Sequence, residues 1–196
     1  GGQVTPPHDI GITECVLSVK DENVKVMDEA EARNKGVLSS VPEEVDESYY
    51  NMVISSLRRP ELVKKSPVKV AYTPLHGSGL VPLTTMLSRL GMEVAVVEEQ
   101  KAPDGSFPTV KLPNPESAEA MQKVIALAKE IKADIVLGTD PDADRLGIYA
   151  KDTKTGEYVS FTGNMSAMLI AEYILSQRKE KGLLHSNGAF VTTIVS

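Results

Sequence analysis

The chain has 196 residues, 41% of them hydrophobic and 24% charged, which excludes a disordered tail and fits a folded globular protein. Net charge is −6, and the basic residues are scattered apart from pairs such as Arg58-Arg59 and Lys64-Lys65, so the clustered cationic surface that nucleic acids require is missing. A single cysteine, Cys15, rules out an internal disulfide, and no run approaches the ~20 apolar residues of a membrane span. No signal peptide is expected, and a cytoplasmic protein is the expectation that follows.

Residues 1–20 read as a Gly/Pro-rich start followed by a short apolar strand over 12–19, in which Cys15 is expected to be buried. Residues 21–44 are charged and weakly patterned, as a connector would be. A helix is expected from Asp46, with Tyr49, Met52, Val53 and Leu57 on one face and Pro60 ending it. From Pro67 the rhythm becomes strand, turn, helix. Val68 to Tyr72 is a β-branched run, and 73–79 is a glycine-bearing turn containing His76. Leu83, Met86, Leu87 and Leu90 mark the next helix, closed by Gly91.

Val94 to Val97 reads as a second strand, followed by a polar loop over 98–114. Asn114-Pro115-Glu116 looks like a helix start, with Met121, Val124, Ile125 and Ala128 as the buried face. Strands are expected at 135–137, 146–150 and 158–161, the last two pairing across Thr155-Gly156. A helix over 164–177 follows, with Thr162 as its cap, and then a strand over 188–196. The chain opens on Gly1 and closes on that apolar run, so we expect a piece of a longer protein.

Alternating strands and helices imply an α/β fold, a three-layer α/β/α sandwich with a mostly parallel sheet. In such sheets ligands collect outside the carboxyl ends of the strands. The turn at 76–79 and the segment 139–145 both stand there.

That second segment carries the chemistry. Asp140, Asp142 and Asp144 alternate with Pro141 and Ala143, so three carboxylates can face one way and repel unless a cation sits among them. Hard oxygen ligands suit Mg²⁺ or Ca²⁺. Arg145 follows with a planar fork for phosphate, and a metal site beside an arginine points to phosphoryl transfer. An EF-hand counted from Asp140 fails, because Arg145 stands where glycine is needed and Lys151 where glutamate is needed. His76 admits two readings: it orients the metal loop or relays a proton, or it is a structural histidine bonded to a neighbouring loop.

The run Gly138-Thr139-Asp140-Pro141-Asp142-Ala143-Asp144-Arg145-Leu146-Gly147 resembles the metal-binding loop of the α-D-phosphohexomutases, the phosphoglucomutase/phosphomannomutase family. The Pro6-Pro7-His8-Asp9 segment, the turn 72–79, the runs 103–108 and 114–116, and Phe161-Thr162-Gly163-Asn164 resemble other parts of the family in the same order. The resemblance implies three pieces: 1–44 from the end of a first domain, 45–160 as a second domain, and 161–196 as the start of a third. It implies Mg²⁺ held by Asp140, Asp142 and Asp144 and by a phosphoserine oxygen, with Arg145 on the transferring phosphate. Its substrate would be a hexose phosphate, moved between positions 1 and 6 through a bisphosphate. The phosphoserine loop is not found in this sequence, so the piece alone is expected to be inactive and to need the remaining domains. A non-catalytic module that binds a divalent ion or a sugar phosphate stays open as the alternative.

Overall fold

In the computed structural model, which describes residues 2–65 and 68–192, the first of two units, Gly1–Asp46, is built from helices. They are α1 (His8–Ser18), a 3₁₀ turn at Asp21–Asn23 and α2 (Glu29–Asn34). The strand expected over 12–19 is therefore corrected to helix, and Cys15, expected to be buried, is exposed. Asp9 lies in the first turn of α1, where a carboxylate meets the positive end of the helix dipole. The Thr13 hydroxyl donates to the Asp9 carbonyl at 2.8 Å. A β-branched run needs a neighbouring strand to satisfy its backbone, and the described residues of this unit hold none. The expected connector also contains a helix, α2. Its cap is Asp28, whose side chain accepts from the Glu31 N–H at 3.1 Å.

The helix α3 (Glu43–Ser56) runs into the second unit, Glu47–Ser196. Its buried residue is Tyr50, while Tyr49 and Met52 are exposed, so the inward face is turned from the expected one. The cause is Arg89, whose guanidinium lies 4.5 Å from the Tyr50 ring centre and pairs with Glu47. Pro60 does not end this helix. It opens the next one, α4 (Pro60–Lys65), at the position where a missing N–H costs nothing.

The remaining elements are β1 (Lys69–Thr73), α5 (Leu80–Arg89), β2 (Glu93–Val96), α6 (Gln122–Ile131), β3 (Ile135–Thr139), β4 (Leu146–Lys151), β5 (Tyr158–Phe161) and α7 (Gly163–Glu180). One five-stranded sheet has the order β2-β1-β3-β4-β5. Its core strands β2, β1 and β3 are parallel, and β4 and β5 continue it antiparallel as a hairpin. Helices lie on both sides, as the expected three-layer α/β arrangement requires. Ala71, Val136 and Tyr149 are in register across β1, β3 and β4 and meet Met121, Val124 and Ala128, the last two on α6. Burying side chains such as Met121 and Val124 contributes about 1.5–3 kcal/mol each. On the opposite face, Gly79 at the start of α5 lies against Tyr72 and Thr139, where an added Cβ would come within 2.6 Å of the Tyr72 hydroxyl.

The helix expected from Asn114 begins later, at Gln122. Asn114 instead accepts from the Glu116 N–H at 3.0 Å in a side-chain-closed turn. That turn buries Pro115 against Gly147 at the sheet end, so it cannot also be the first turn of a helix. Helix α7 is capped by Thr162, whose hydroxyl accepts from the Met165 N–H at 3.2 Å. The part of the 188–196 run that is described, through Thr192, pairs with no strand, and the rest lies outside the described residues. Among the described residues no helix is long and apolar enough to cross a membrane.

The row Thr73, Gly138, Gly147 shows how closely the α6 face is covered. A Cβ on Gly147 would lie 2.4 Å from the Pro115 carbonyl oxygen, and one on Gly138 would lie 2.6 Å from the Met121 sulfur. Backbone cannot yield but a thioether can. Gly147→Ala should cost about 1–3 kcal/mol of stability and Gly138→Ala less. Urea denaturation of the two variants checks this, and the reverse order would contradict the packing described.

Candidate metal centre

Three loops leave the carboxyl ends of the parallel strands and meet there. The first follows β1 and contains Pro74 to Gly79. The second follows β2 and contains Gln100. The third follows β3 and is the acidic loop 140–145. Parallel pairing of β1 with β3 is what brings the first and third together.

In the third loop, Asp140, Asp142 and Asp144 each offer a carboxylate oxygen, and these oxygens lie within 4.8 Å of one another. Asp140 is buried, and its Oδ1 accepts from the Arg145 N–H at 2.9 Å. Ala143, at φ 59°, takes the left-handed conformation that folds the loop back, and its N–H donates to the Asp140 carbonyl at 3.0 Å. A hydrogen bond with Asp140, followed by the charges of Asp142 and Asp140, holds the Asp144 carboxyl above its usual range. Crowded carboxylates of this kind fit a hard divalent cation, whose charge would remove their repulsion. Arg145 is exposed, with Nε 3.7 Å from Asp140 Oδ2 and 3.8 Å from Asp144 Oδ1. It stands beside the cluster with its guanidinium accessible to an anion.

The first loop grips the third. The Ser78 N–H donates to the Pro141 carbonyl at 2.8 Å, and the Ser78 hydroxyl donates to the same oxygen at 3.1 Å. Gly77 lies so close that an added Cβ would be 2.3 Å from Pro141 Cα. The approach depends on Leu75 and His76, both left-handed at φ 46° and 63°. For side-chain-bearing residues such conformations cost about 1–3 kcal/mol each.

Both ring nitrogens of His76 are taken up by the second loop. The Nδ1 donates to the Ala102 carbonyl at 3.1 Å, which leaves Nε2 to accept from the Thr109 hydroxyl at 2.9 Å. The structure thus places Asp140, Asp142, Asp144 and Arg145 together, and the His76 ring bonds to Ala102 and Thr109 of the second loop. Sequence reasoning missed Thr73, Gln100 and Thr109, and read Gly77-Ser78-Gly79 as a turn at the ligand-binding edge of the sheet without its hold on Pro141. Gln100 follows two glutamates in a polar run and gives no local sign that its side chain is wholly buried.

An α/β domain with an oxygen-rich loop at the carboxyl edge of its parallel strands is the class that fold and site define. Residues 47–155 match the family model described as phosphoglucomutase/phosphomannomutase, alpha/beta/alpha domain II, and the chain belongs to that family. It is 34% identical over 190 residues to a phosphoribomutase of Saccharomyces cerevisiae, a match covering 88% of this chain and 30% of that protein. It is 32% identical over 182 residues to a probable phosphomannomutase of Haemophilus influenzae, covering 92% of this chain and 36% of that one. Among solved structures, a phosphoglucomutase/phosphomannomutase family protein from Burkholderia thailandensis superposes with TM-score 0.57 at 26% identity, over 68% of this chain and 26% of that one. The chain thus spans about a third of the length of these relatives.

The docking of the two loops is tested by paired glycine substitutions. Gly77→Ala forces a Cβ onto the Pro141 backbone and should cost about 1–3 kcal/mol. Gly105→Ala meets nothing within 4 Å and should stay within about 0.5 kcal/mol of wild type in the same thermal melts.

Proposed function

We propose that this chain is the metal-carrying part of a mutase that interconverts hexose 1-phosphate and hexose 6-phosphate. The observation that supports this best is the set of three aspartate oxygens within 4.8 Å beside Arg145, in a chain of the phosphoglucomutase/phosphomannomutase family. Asp140, Asp142 and Asp144 would hold Mg²⁺. When bound, Mg²⁺ supplies positive charge that offsets the charge on a transferring phosphoryl group. Arg145 reaches phosphate oxygens with two parallel N–H donors. A phosphoserine from outside this sequence gives its phosphoryl group to the sugar, and the bisphosphate returns its other phosphoryl group to that serine. Residues 1–44 would belong to the domain before the metal domain, 45–160 to the metal domain, and 161–196 to the one after it. The reaction requires those remaining domains, and a cytoplasmic setting suits a phosphosugar substrate.

A second reading concerns the sugar. Relatives named phosphoribomutase and phosphopentomutase match at 34% identity, so a pentose phosphate is the competing substrate. The alternative without turnover, a binding module, would bind the ion and release no product.

Kinetics on the intact polypeptide separate these readings. Glucose 1-phosphate, mannose 1-phosphate and ribose 1-phosphate are each supplied across a Mg²⁺ series to wild type, Arg145→Ala and Asp142→Asn. Arg145→Ala should lose about 2–4 kcal/mol of transition-state stabilisation, a roughly 30- to 1,000-fold fall in kcat/KM that added Mg²⁺ leaves in place. Asp142→Asn should be partly rescued by Mg²⁺. Rescue of Arg145→Ala would instead make Arg145 a support of the loop. Residues 1–196 alone should turn over none of the three sugars, and product formation in proportion to that piece would overturn the need for an external phosphoserine.

A further inference from the structure

A polar chain, buried at Thr73, Gln100 and His76 and half-buried at Thr109, ties the second loop to the first. The Thr73 hydroxyl donates to Gln100 Oε1 at 2.7 Å and accepts from the Leu75 N–H at 3.1 Å. Gln100 Nε2 donates to Thr109 Oγ1 at 2.9 Å, and the Thr109 hydroxyl donates to His76 Nε2 at 2.9 Å. The Gln100 carbonyl accepts from the His76 N–H at 3.0 Å, and the His76 carbonyl accepts from the Asp104 N–H at 3.1 Å. The side chain of Gln100 is wholly buried, and every polar group named here has a partner.

The strained backbone of the unit gathers on the same path. Among the described residues, the non-glycine positions with positive φ are Leu75, His76, Phe107, Lys132 and Ala143. Lys132 ends α6, and the other four belong to the gripping turn, the loop that ties it, and the metal loop. The rings of His76 and Phe107 also meet edge to face, 6.5 Å apart. Strained conformations persist only where surrounding contacts over-determine them. Here the contacts are the Thr73–Gln100–Thr109–His76 chain, and what they hold in place is Ser78 against the Pro141 carbonyl, between Asp140 and Asp142.

We infer that Gln100, Thr109 and His76 are positioning residues of the metal loop, acting through the Ser78–Pro141 contact to set the spacing of Asp140, Asp142 and Asp144. The inference rests on the reading of those aspartates as cation ligands. A loose turn would leave the Pro141 carbonyl without its two donors, and the carboxylates would spread apart under their own repulsion. Thr109→Val keeps the shape of the side chain and removes the oxygen that joins Gln100 to His76. Thr109→Ser restores it.

The test is Mn²⁺ binding to the intact polypeptide, read from the electron paramagnetic resonance signal of the free ion, alongside thermal melts. Mn²⁺ shares the oxygen preference of Mg²⁺. Thr109→Val should weaken Mn²⁺ binding roughly tenfold, the low end for an outer partner of a metal site, and Thr109→Ser should bind as wild type. Ser78→Ala, at an exposed position, should weaken it less, because the Ser78 N–H still reaches Pro141. Thr109→Val that melts earlier yet binds Mn²⁺ as wild type would make the chain merely structural and overturn the inference. If Thr109→Val does not fold, Thr109→Ala, which removes the same hydroxyl, is read by the same criterion: wild-type Mn²⁺ binding overturns the inference. Asp142→Asn distinguishes the underlying reading: if it too binds as wild type, the aspartates are not ligands and both readings fall.

Discussion

Three carboxylates held with oxygens within 4.8 Å of one another repel, and much of the second unit resists that repulsion. Separating them would relieve that repulsion, because Asp142 and Asp144 are exposed on a short loop and Arg145, beside Asp140 and Asp144, offsets only part of their charge. What opposes it is backbone. Asp140 is anchored at the end of β3 and bonded to the Arg145 N–H, Ala143 turns the loop back, and the Pro141 carbonyl between the first two aspartates is gripped by Ser78. An α/β sheet supplies such anchoring well, because adjacent parallel strands deliver their loops to one edge.

The two faces of the sheet then divide the work. On the α6 face, small residues at Gly138 and Gly147 let Met121 and Pro115 close over the strands, and apolar burial stabilises the platform. On the other face, the Tyr72 hydroxyl and Thr139 share a hydrogen bond at 2.8 Å beneath the start of α5. Burial raises the Tyr72 phenol above its ordinary range, so it stays neutral and that bond needs no counter-charge. Platform and loop therefore depend on different forces. Packing stabilises the strands, and directed hydrogen bonds set the geometry of the edge.

Much of this was legible residue by residue. The aspartate alternation with Pro141 and Arg145 is a local pattern whose chemistry follows from residue type alone. The strands at 68–72, 94–97 and 135–137 and the buried stripe of α6 were readable from periodicity, because each is decided within a few residues. The Thr162 cap was readable for the same reason. Errors fell where neighbours overruled local preference. The run at 12–19 became a helix with no strand to pair against, Arg89 turned the face of α3, and Pro115 was drawn onto Gly147, so α6 began late.

What the sequence by itself determined is thus the chemistry offered at each position: which groups can carry charge, which can bury, and where a helix can begin. What only the tertiary structure decided is which of these groups meet. Ser78 and Pro141 are 63 residues apart, and Thr73 and Gln100 are 27 apart. Their contacts exist because β1 pairs in parallel with both β2 and β3, in a register that no local propensity encodes. Register follows from burying one face of each strand against helices placed elsewhere in the chain. The spacing of the aspartates was written locally, but the grip that keeps them together arises only once the sheet has formed.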